Sequence, residues 1–183
     1  DSRYFVQAGI EAPDFALVDI RKGWGEIFSL VDNGVIKFTD GAFSVREYNS
    51  VKRKVNKTFV TAQDEIDFPR RNKDKAEIKI IAEAEAIGDQ AFSYILPKLR
   101  TGMTELEVAT EIENFMRREG ATRTSFDTIC ASGVRSCMPH GIATDKVIEK
   151  GDFLTMDFGC VYKGYCSDMT RTVVIGKADA EMK

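Results

Sequence analysis

The chain is poor in the residues that most metal and nucleophile chemistry uses. Of its 183 residues one is a histidine, His140, and four are cysteines, Cys130, Cys137, Cys160 and Cys166. That cysteine spacing, with one histidine to help, matches no zinc motif. One histidine without a nucleophile elbow also excludes a serine triad in its usual form. No apolar run approaches membrane-spanning length, so no membrane partner is expected. A surplus of one charge is missing too: a net charge of −3 argues against an electrostatic nucleic-acid binder. The basic clusters Lys52-Arg53-Lys54 and Arg70-Arg71, with Lys73 and Lys75, are diluted by acids and read as solvated helix faces and a linker. The N-terminus carries no basic-then-apolar signal segment and no initiating Met, so truncation at the front is expected. The cysteines are expected to be reduced, half-buried thiols of a cytoplasmic protein, with Cys160 and Cys166 flanking one turn.

What is present is the composition of a globular protein, 43% hydrophobic and 30% charged, enough for one or two cores. Residues 1–66 alternate short pieces and suggest a small α/β layer. DSRYFVQA reads as a strand end, FALVDI, VIKFTD and KTFVTA as strands, and GWGEIFSLVDN as a short helix. Ser44 with Glu47 predicts a capped helix running to about Lys54. Residues 67–75 are polar around Pro69 and read as a linker. A long helix is expected from about Asp74 to Leu99, on a stripe of Ile78, Ile81, Ala82, Ile87, Ala91, Tyr94 and Ile95. Thr104 with Glu107 opens a second helix to Glu119, with Leu106, Ala109, Ile112, Phe115 and Met116 as its buried face. SFDTIC (125–130) reads as a strand, and ASGVRSCMPHGIATD as a loop.

The stretch that carries chemistry is Asp157 to Asp168, DFGCVYKGYCSD, between two β-rich apolar runs. It predicts a β-hairpin. With Tyr162-Lys163 as the turn, Asp157 faces Asp168; with Lys163-Gly164 as the turn, Asp168 faces Gly159. Either register sets both carboxylates on one face. Like charges so placed require a proton on one of them or a cation between them, and carboxylate oxygens suit Mg, Mn or a two-metal centre. The bland alternative is a solvated strand face, or two acids paired to bases such as Lys163 or Arg171. His140, in Pro139-His140-Gly141 just upstream, is a candidate general acid or substrate donor. Asp157-Phe158-Gly159 also matches the kinase DFG triplet, but no glycine-rich phosphate loop or HRD accompanies it.

Taken together, FDTICASG, PHG and GDFLTMDFGCVYKGYCSDMTRTVVIG resemble the pita-bread (creatinase/aminopeptidase) metallopeptidases, and within them the Xaa-Pro aminopeptidases and prolidases. GMTELEVATEIE fits the same branch, and DSRYFVQA resembles the end of the N-terminal domain those enzymes carry. The resemblance is most specific from Ser125 to Gly176. It implies an α/β (α+β) chain: part of a creatinase-type N-terminal domain over 1–66, a linker over 67–75, and the first half of a pita-bread domain over 76–183. It implies Asp157 and Asp168 as the first two metal-binding aspartates, with Asp168 shared, and His140 as the histidine that contacts substrate. The implied cofactors are two divalent ions, manganese first, with cobalt or zinc as alternatives. The implied reaction is metal-assisted attack of water on the carbonyl before proline in a proline-containing peptide. The family's remaining ligands, a histidine and two glutamates, have no counterpart after His140. The chain is therefore expected to be an inactive fragment whose uncovered sheet face favours a homodimer or low stability. The alternative is a non-catalytic binding module of the same fold that has lost its metals.

Overall fold

The computed structural model describes residues 4–19, 21, 23–30 and 34–182. The chain divides into two compact units, Asp1–Asn72 and Lys73–Lys183.

In the first unit, strand β1 (Val35–Phe38) lies parallel to β2 (Thr58–Thr61), in the register Val35 to Thr58. A parallel pair needs a crossover, and helix α3 (Val45–Lys54) supplies it. Ser44 caps α3 as expected: its Oγ accepts from Glu47 N at 3.2 Å, and the Glu47 carboxylate accepts from Ser44 N at 2.9 Å. The core here is small. Phe28, Val51 and Val55 are buried, with Ile36, Phe43 and Phe59 packed against them. Phe28 comes from helix α2 (Trp24–Ser29), the short helix expected there; the Val31 to Asn33 end of that stretch lies outside the described residues.

Three expectations for this unit are overturned. The described part of DSRYFVQA is not a strand end: Phe5–Glu11 forms helix α1, with a Gln7 to Glu11 side-chain hydrogen bond of 2.9 Å one turn apart, while the first three residues lie outside the described ones. FALVDI forms no strand among its described residues, because Phe15, Leu17 and Val18 are exposed and no neighbouring strand takes up their backbone. Residues 67–75 are not all linker, since helix α4 (Gln63–Arg71) runs through Pro69. Pro69 sits in the last turn, where its missing N–H forgoes only the bond back to Glu65.

The second unit begins with α5 (Lys75–Ile95), capped by Asp74, whose Oδ1 accepts from Ala76 N at 2.7 Å and Glu77 N at 2.9 Å. A 3-10 turn at Leu96–Lys98 contains Pro97 and ends it. Helix α6 (Glu105–Arg118) starts in the expected capping box of Thr104 and Glu107 and stops at Gly120, whose φ of 100° only glycine tolerates well.

The strands follow: β3 (Arg123–Thr124), β4 (Ile129–Ser132), β5 (Phe153–Phe158), β6 (Cys160–Tyr162), β7 (Tyr165–Cys166) and β8 (Met169–Val174). They form two antiparallel three-stranded sheets, ordered β4-β5-β8 and β3-β6-β7. Strand β5 alternates strictly. Leu154, Met156 and Phe158 are fully buried and join the buried faces of α5 and α6 in one core, while Phe153, Thr155 and Asp157 point to the other face. The buried face of α6 keeps Ala109, Ile112 and Met116 as expected but differs at its N-terminal end. Leu106 is 54% exposed, whereas Val108 and Glu105 are fully buried. Ile78 of the expected α5 stripe is exposed as well. The expected strand over 125–130 is split, with β3 ending at Thr124 and β4 starting only at Ile129.

Candidate functional site

The hairpin forms in the second of the two registers. Tyr162 pairs with Tyr165, so Lys163 and Gly164 make the turn, with φ of 48° and 86°. Positive φ at both central residues is the requirement of a two-residue type I′ turn, and Gly164 meets it without cost. The same register runs on through β5 and β8, where Asp157 pairs with Thr170. Continued, it sets Asp168 opposite Gly159 and on the face that carries Asp157 and Thr170. Gly159 is required for a second reason. A Cβ there would stand 2.0 Å from the Ser167 carbonyl oxygen. The backbone of Ser167 therefore leaves no room for a side chain at Gly159, between the two carboxylates.

Asp157 sits on the central strand, flanked by Ile129 of β4 and Thr170 of β8. The loop after β4 returns to the same place. It begins as a 3-10 turn at Gly133–Cys137, and Ile142 then bridges back to Ile129 on the edge away from Asp157. His140 precedes that bridge, and its carbonyl accepts from Ile142 N at 2.9 Å. One cavity of about 370 Å³ results, lined by Phe126, Asp127, Ile129, His140, Ile142, Asp157 and Asp168. All three candidate residues from the sequence, His140, Asp157 and Asp168, thus line one cavity. Phe126, Asp127 and Ile142 were not anticipated. Their signal is absent from local pattern, because Asp127 reads as one polar position in a strand that does not form at 125–128.

The electrostatics separate the candidate readings. The bases that might have paired the two aspartates are engaged elsewhere: Lys163 pairs with Glu83 at 2.9 Å and Arg171 with Asp89 at 3.4 Å. Asp157 Oδ1 is buried and has no hydrogen-bond partner among the described residues. A buried carboxylate oxygen without a donor costs on the order of 1–3 kcal/mol, more when charged. A cation at that oxygen would remove the cost. The donor set present, carboxylate oxygens with one imidazole in the same cavity, suits a divalent ion of the Mg, Mn, Co or Zn kind. It is incomplete by itself, since no group of three or more His, Cys, Asp or Glu side chains that could hold a metal occurs among the described residues. The cysteines take no part. Cys130 and Cys160 are buried free thiols, and burial pushes Cys130 up to about 12.

Residues 79–183 match the model of metallopeptidase family M24. The chain belongs to that family. Over 190 aligned residues it is 39% identical to an uncharacterized peptidase of Bacillus subtilis, covering 100% of this chain and 53% of that protein. A Xaa-Pro dipeptidase of Pyrococcus furiosus is 39% identical over 163 residues, covering 88% of this chain and 47% of its own length. Among solved structures, the X-Pro aminopeptidase of Thermotoga maritima superposes with a TM-score of 0.90 at 39% identity, over 99% of this chain and 51% of that one. The Xaa-Pro dipeptidase of Bacillus anthracis gives 0.89 at 39% identity, over 98% and 52%. The fold is thus the mixed α/β pita-bread type, and the chain spans about half the length of the relatives it matches. The family is one of metal-dependent peptidases, which agrees with the cavity's orphaned carboxylate oxygen.

Proposed function

We propose that this chain is part of a peptidase that removes an N-terminal residue from an Xaa-Pro peptide or splits an Xaa-Pro dipeptide. Asp157 and Asp168 are its first two metal-binding residues, and His140 is the group that touches substrate. The observation that carries this reading is the buried, unpartnered Asp157 Oδ1 in the cavity shared with Asp168 and His140. Relatives named Xaa-Pro dipeptidases and aminopeptidases support the substrate class.

Bound at the two aspartates, divalent ions supply Lewis-acid polarisation of a carbonyl and a lower cost for deprotonating water. The chain's own residues do the rest. Asp157 on β5 and Asp168 just before β8 hold the metal end of the cavity. His140, on the loop opposite, donates a hydrogen bond to the scissile carbonyl or to the nitrogen that leaves. The apolar wall of Phe126, Ile129 and Ile142 accepts a proline ring and keeps water from the reacting bond.

The reading includes manganese as the resident ion, a homodimer and a cytoplasmic site of action, the last in keeping with free thiols. It also places the further metal ligands outside these 183 residues, which alone do not cleave. A second reading, a pita-bread binding module without metals, is favoured by the lack of a three-ligand group among the described residues.

One experiment separates them. Hydrolysis of an Xaa-Pro dipeptide and a longer Xaa-Pro peptide is followed with Mn²⁺ and with a chelator. It is done for the 183 residues and for the protein extended to its relatives' length. The expected result is chelator-sensitive cleavage by the longer protein, lost in Asp157→Asn, and none by the shorter. No cleavage by either leaves the binding module. Cleavage by the 183 residues alone overturns the placement of further ligands outside them.

A further inference from the structure

The strongest feature outside the cavity is a buried carboxylate at the start of α6. Glu105 is 0% exposed. A glutamate in a first helical turn ordinarily faces water and complements the helix dipole. Here its two oxygens are saturated from one direction. Oε1 accepts from Ser132 N at 2.7 Å, Ser132 Oγ at 3.0 Å and Arg135 Nε at 3.3 Å. Oε2 accepts from Thr144 Oγ1 at 2.7 Å, Thr144 N at 3.2 Å and Arg135 Nε at 3.2 Å.

The donors are not scattered. Ser132 is the last residue of β4, Arg135 lies on the turn after it, and Thr144 lies where the loop returns. One carboxylate therefore ties both ends of the loop whose tip is His140. Arg135 carries the tie inward, because its Nη2 donates to the Ile142 carbonyl at 2.8 Å, and Ile142 bridges to Ile129 beside Asp157. Lys146 closes the outer side, donating to Ser132 Oγ at 2.8 Å and to Asp152 at 2.9 Å. The tip's side chains at Met138, Pro139 and His140 are exposed, and backbone bonds such as Met138 N to the Arg135 carbonyl at 2.9 Å and Ile142 N to the His140 carbonyl at 2.9 Å hold it locally.

We infer that Glu105 is a positioning residue that clamps the loop over 132–146 and thereby sets the imidazole of His140 at the cavity. Its catalytic consequence rests on the peptidase reading of His140; the clamp itself does not. A buried carboxylate is a poor source of net stability, because desolvation offsets most of its attraction. What six donor contacts on one carboxylate provide is a fixed geometry, and the part of the structure they fix is the part that presents His140.

His140 is the chain's one histidine, so its imidazole signals in a histidine-labelled NMR spectrum need no assignment. The test compares those signals in the parent protein, in Glu105→Gln and in the milder Thr144→Ala, with the methyl signals of Met116 and Met156 as a control on the core. The expected result is that both variants keep the core methyl signals, while the His140 signals shift and broaden or split. A purely structural carboxylate would move the core signals and not the imidazole selectively. Unchanged His140 signals in a folded variant overturn the inference, and if Glu105→Gln does not fold, Thr144→Ala decides by the same reading. In the protein of relatives' length, Glu105→Gln is expected to lower kcat for an Xaa-Pro peptide about tenfold or more with Mn²⁺ affinity unchanged. Failure of the peptidase reading removes that second readout and leaves the first intact.

Discussion

Asp157 is costly to the fold that carries it. Its Oδ1 is buried, without a partner among the described residues, on the central strand of the sheet. Replacing the charge by a neutral amide of the same shape lowers the desolvation cost, so in a chelator Asp157→Asn is expected to be more stable than the parent by about 1 kcal/mol. Added Mn²⁺ should then raise the melting temperature of the parent and not of the variant, since ligand stabilisation requires binding to the native state. Thermal unfolding with and without metal checks both signs; a less stable variant in chelator would mean that Oδ1 is satisfied after all. That the two aspartates and His140 line one cavity follows from local features of the sequence, two acids on a hairpin and one histidine on a loop nearby. Glu105 was not legible. As the first residue of a capped helix, it looks like any acid favoured by the dipole. Its burial is decided by Ser132 and Thr144, which lie 27 and 39 residues away.

Among the elements, caps were legible and faces only in part: Ala109, Ile112 and Met116 of α6 are buried as expected and Leu106 is not. Ser44 with Glu47, Asp74 and Thr104 with Glu107 start their helices as expected, because a capping box is closed within four residues. The buried face of α6 depends on which stripe meets the sheet, and Leu106 and Val108 compete for it. The structure gives it to Val108, so Val108→Ala should cost about 2 kcal/mol and Leu106→Ala less than about 0.5 kcal/mol. Chemical denaturation of the two variants checks the order, and a larger loss at Leu106 would return the face to the one expected from the stripe. The split strand over 125–130 has a similar cause. Its second half joins β5, while its first half leads from the sheet of β3 and β6, and the two sheets part at Gly159. Since a Cβ at Gly159 would meet the Ser167 carbonyl oxygen at 2.0 Å, Gly159→Ala must push two backbones apart. A loss of more than about 4 kcal/mol is expected, among the largest a single methyl can cause. The melting temperature of Gly159→Ala measures it; a shift of only a few degrees would show that the hairpin can open without loss.

At the scale of the molecule the two units are unequal. The described residues give Asp1–Asn72 a core of Phe28, Val51 and Val55, whereas in Lys73–Lys183 the apolar faces of two helices and four strands meet in one cluster. Burial sets stability, so the first unit is expected to unfold at the lower temperature, as a separate step in calorimetry. Acid should act mainly on the second step. Burial pushes the Glu105 carboxyl up, but the donors from Thr144 and Ser132 and the Arg135 charge outweigh it and hold the group below its usual 4.5. Asp152 is likewise held low, its burial outweighed by Glu149 N and Lys146. For a carboxyl whose folded value is depressed, the stabilising contribution is complete above the unfolded value. It is then lost as the pH falls through the folded one. The second transition should therefore hold its temperature down to about pH 4.5 and fall below it, and Glu105→Gln should flatten that fall. In the first unit Asp19 is held down to about 2 by Arg21 and Glu47 is held low by Ser44, yet Arg21 and Glu47 are exposed and solvent screens both contributions. An acid dependence that sits in the first step, or is unchanged in Glu105→Gln, would place the titrating groups elsewhere. The loop carrying His140 would then owe its position to packing rather than to the buried carboxylate.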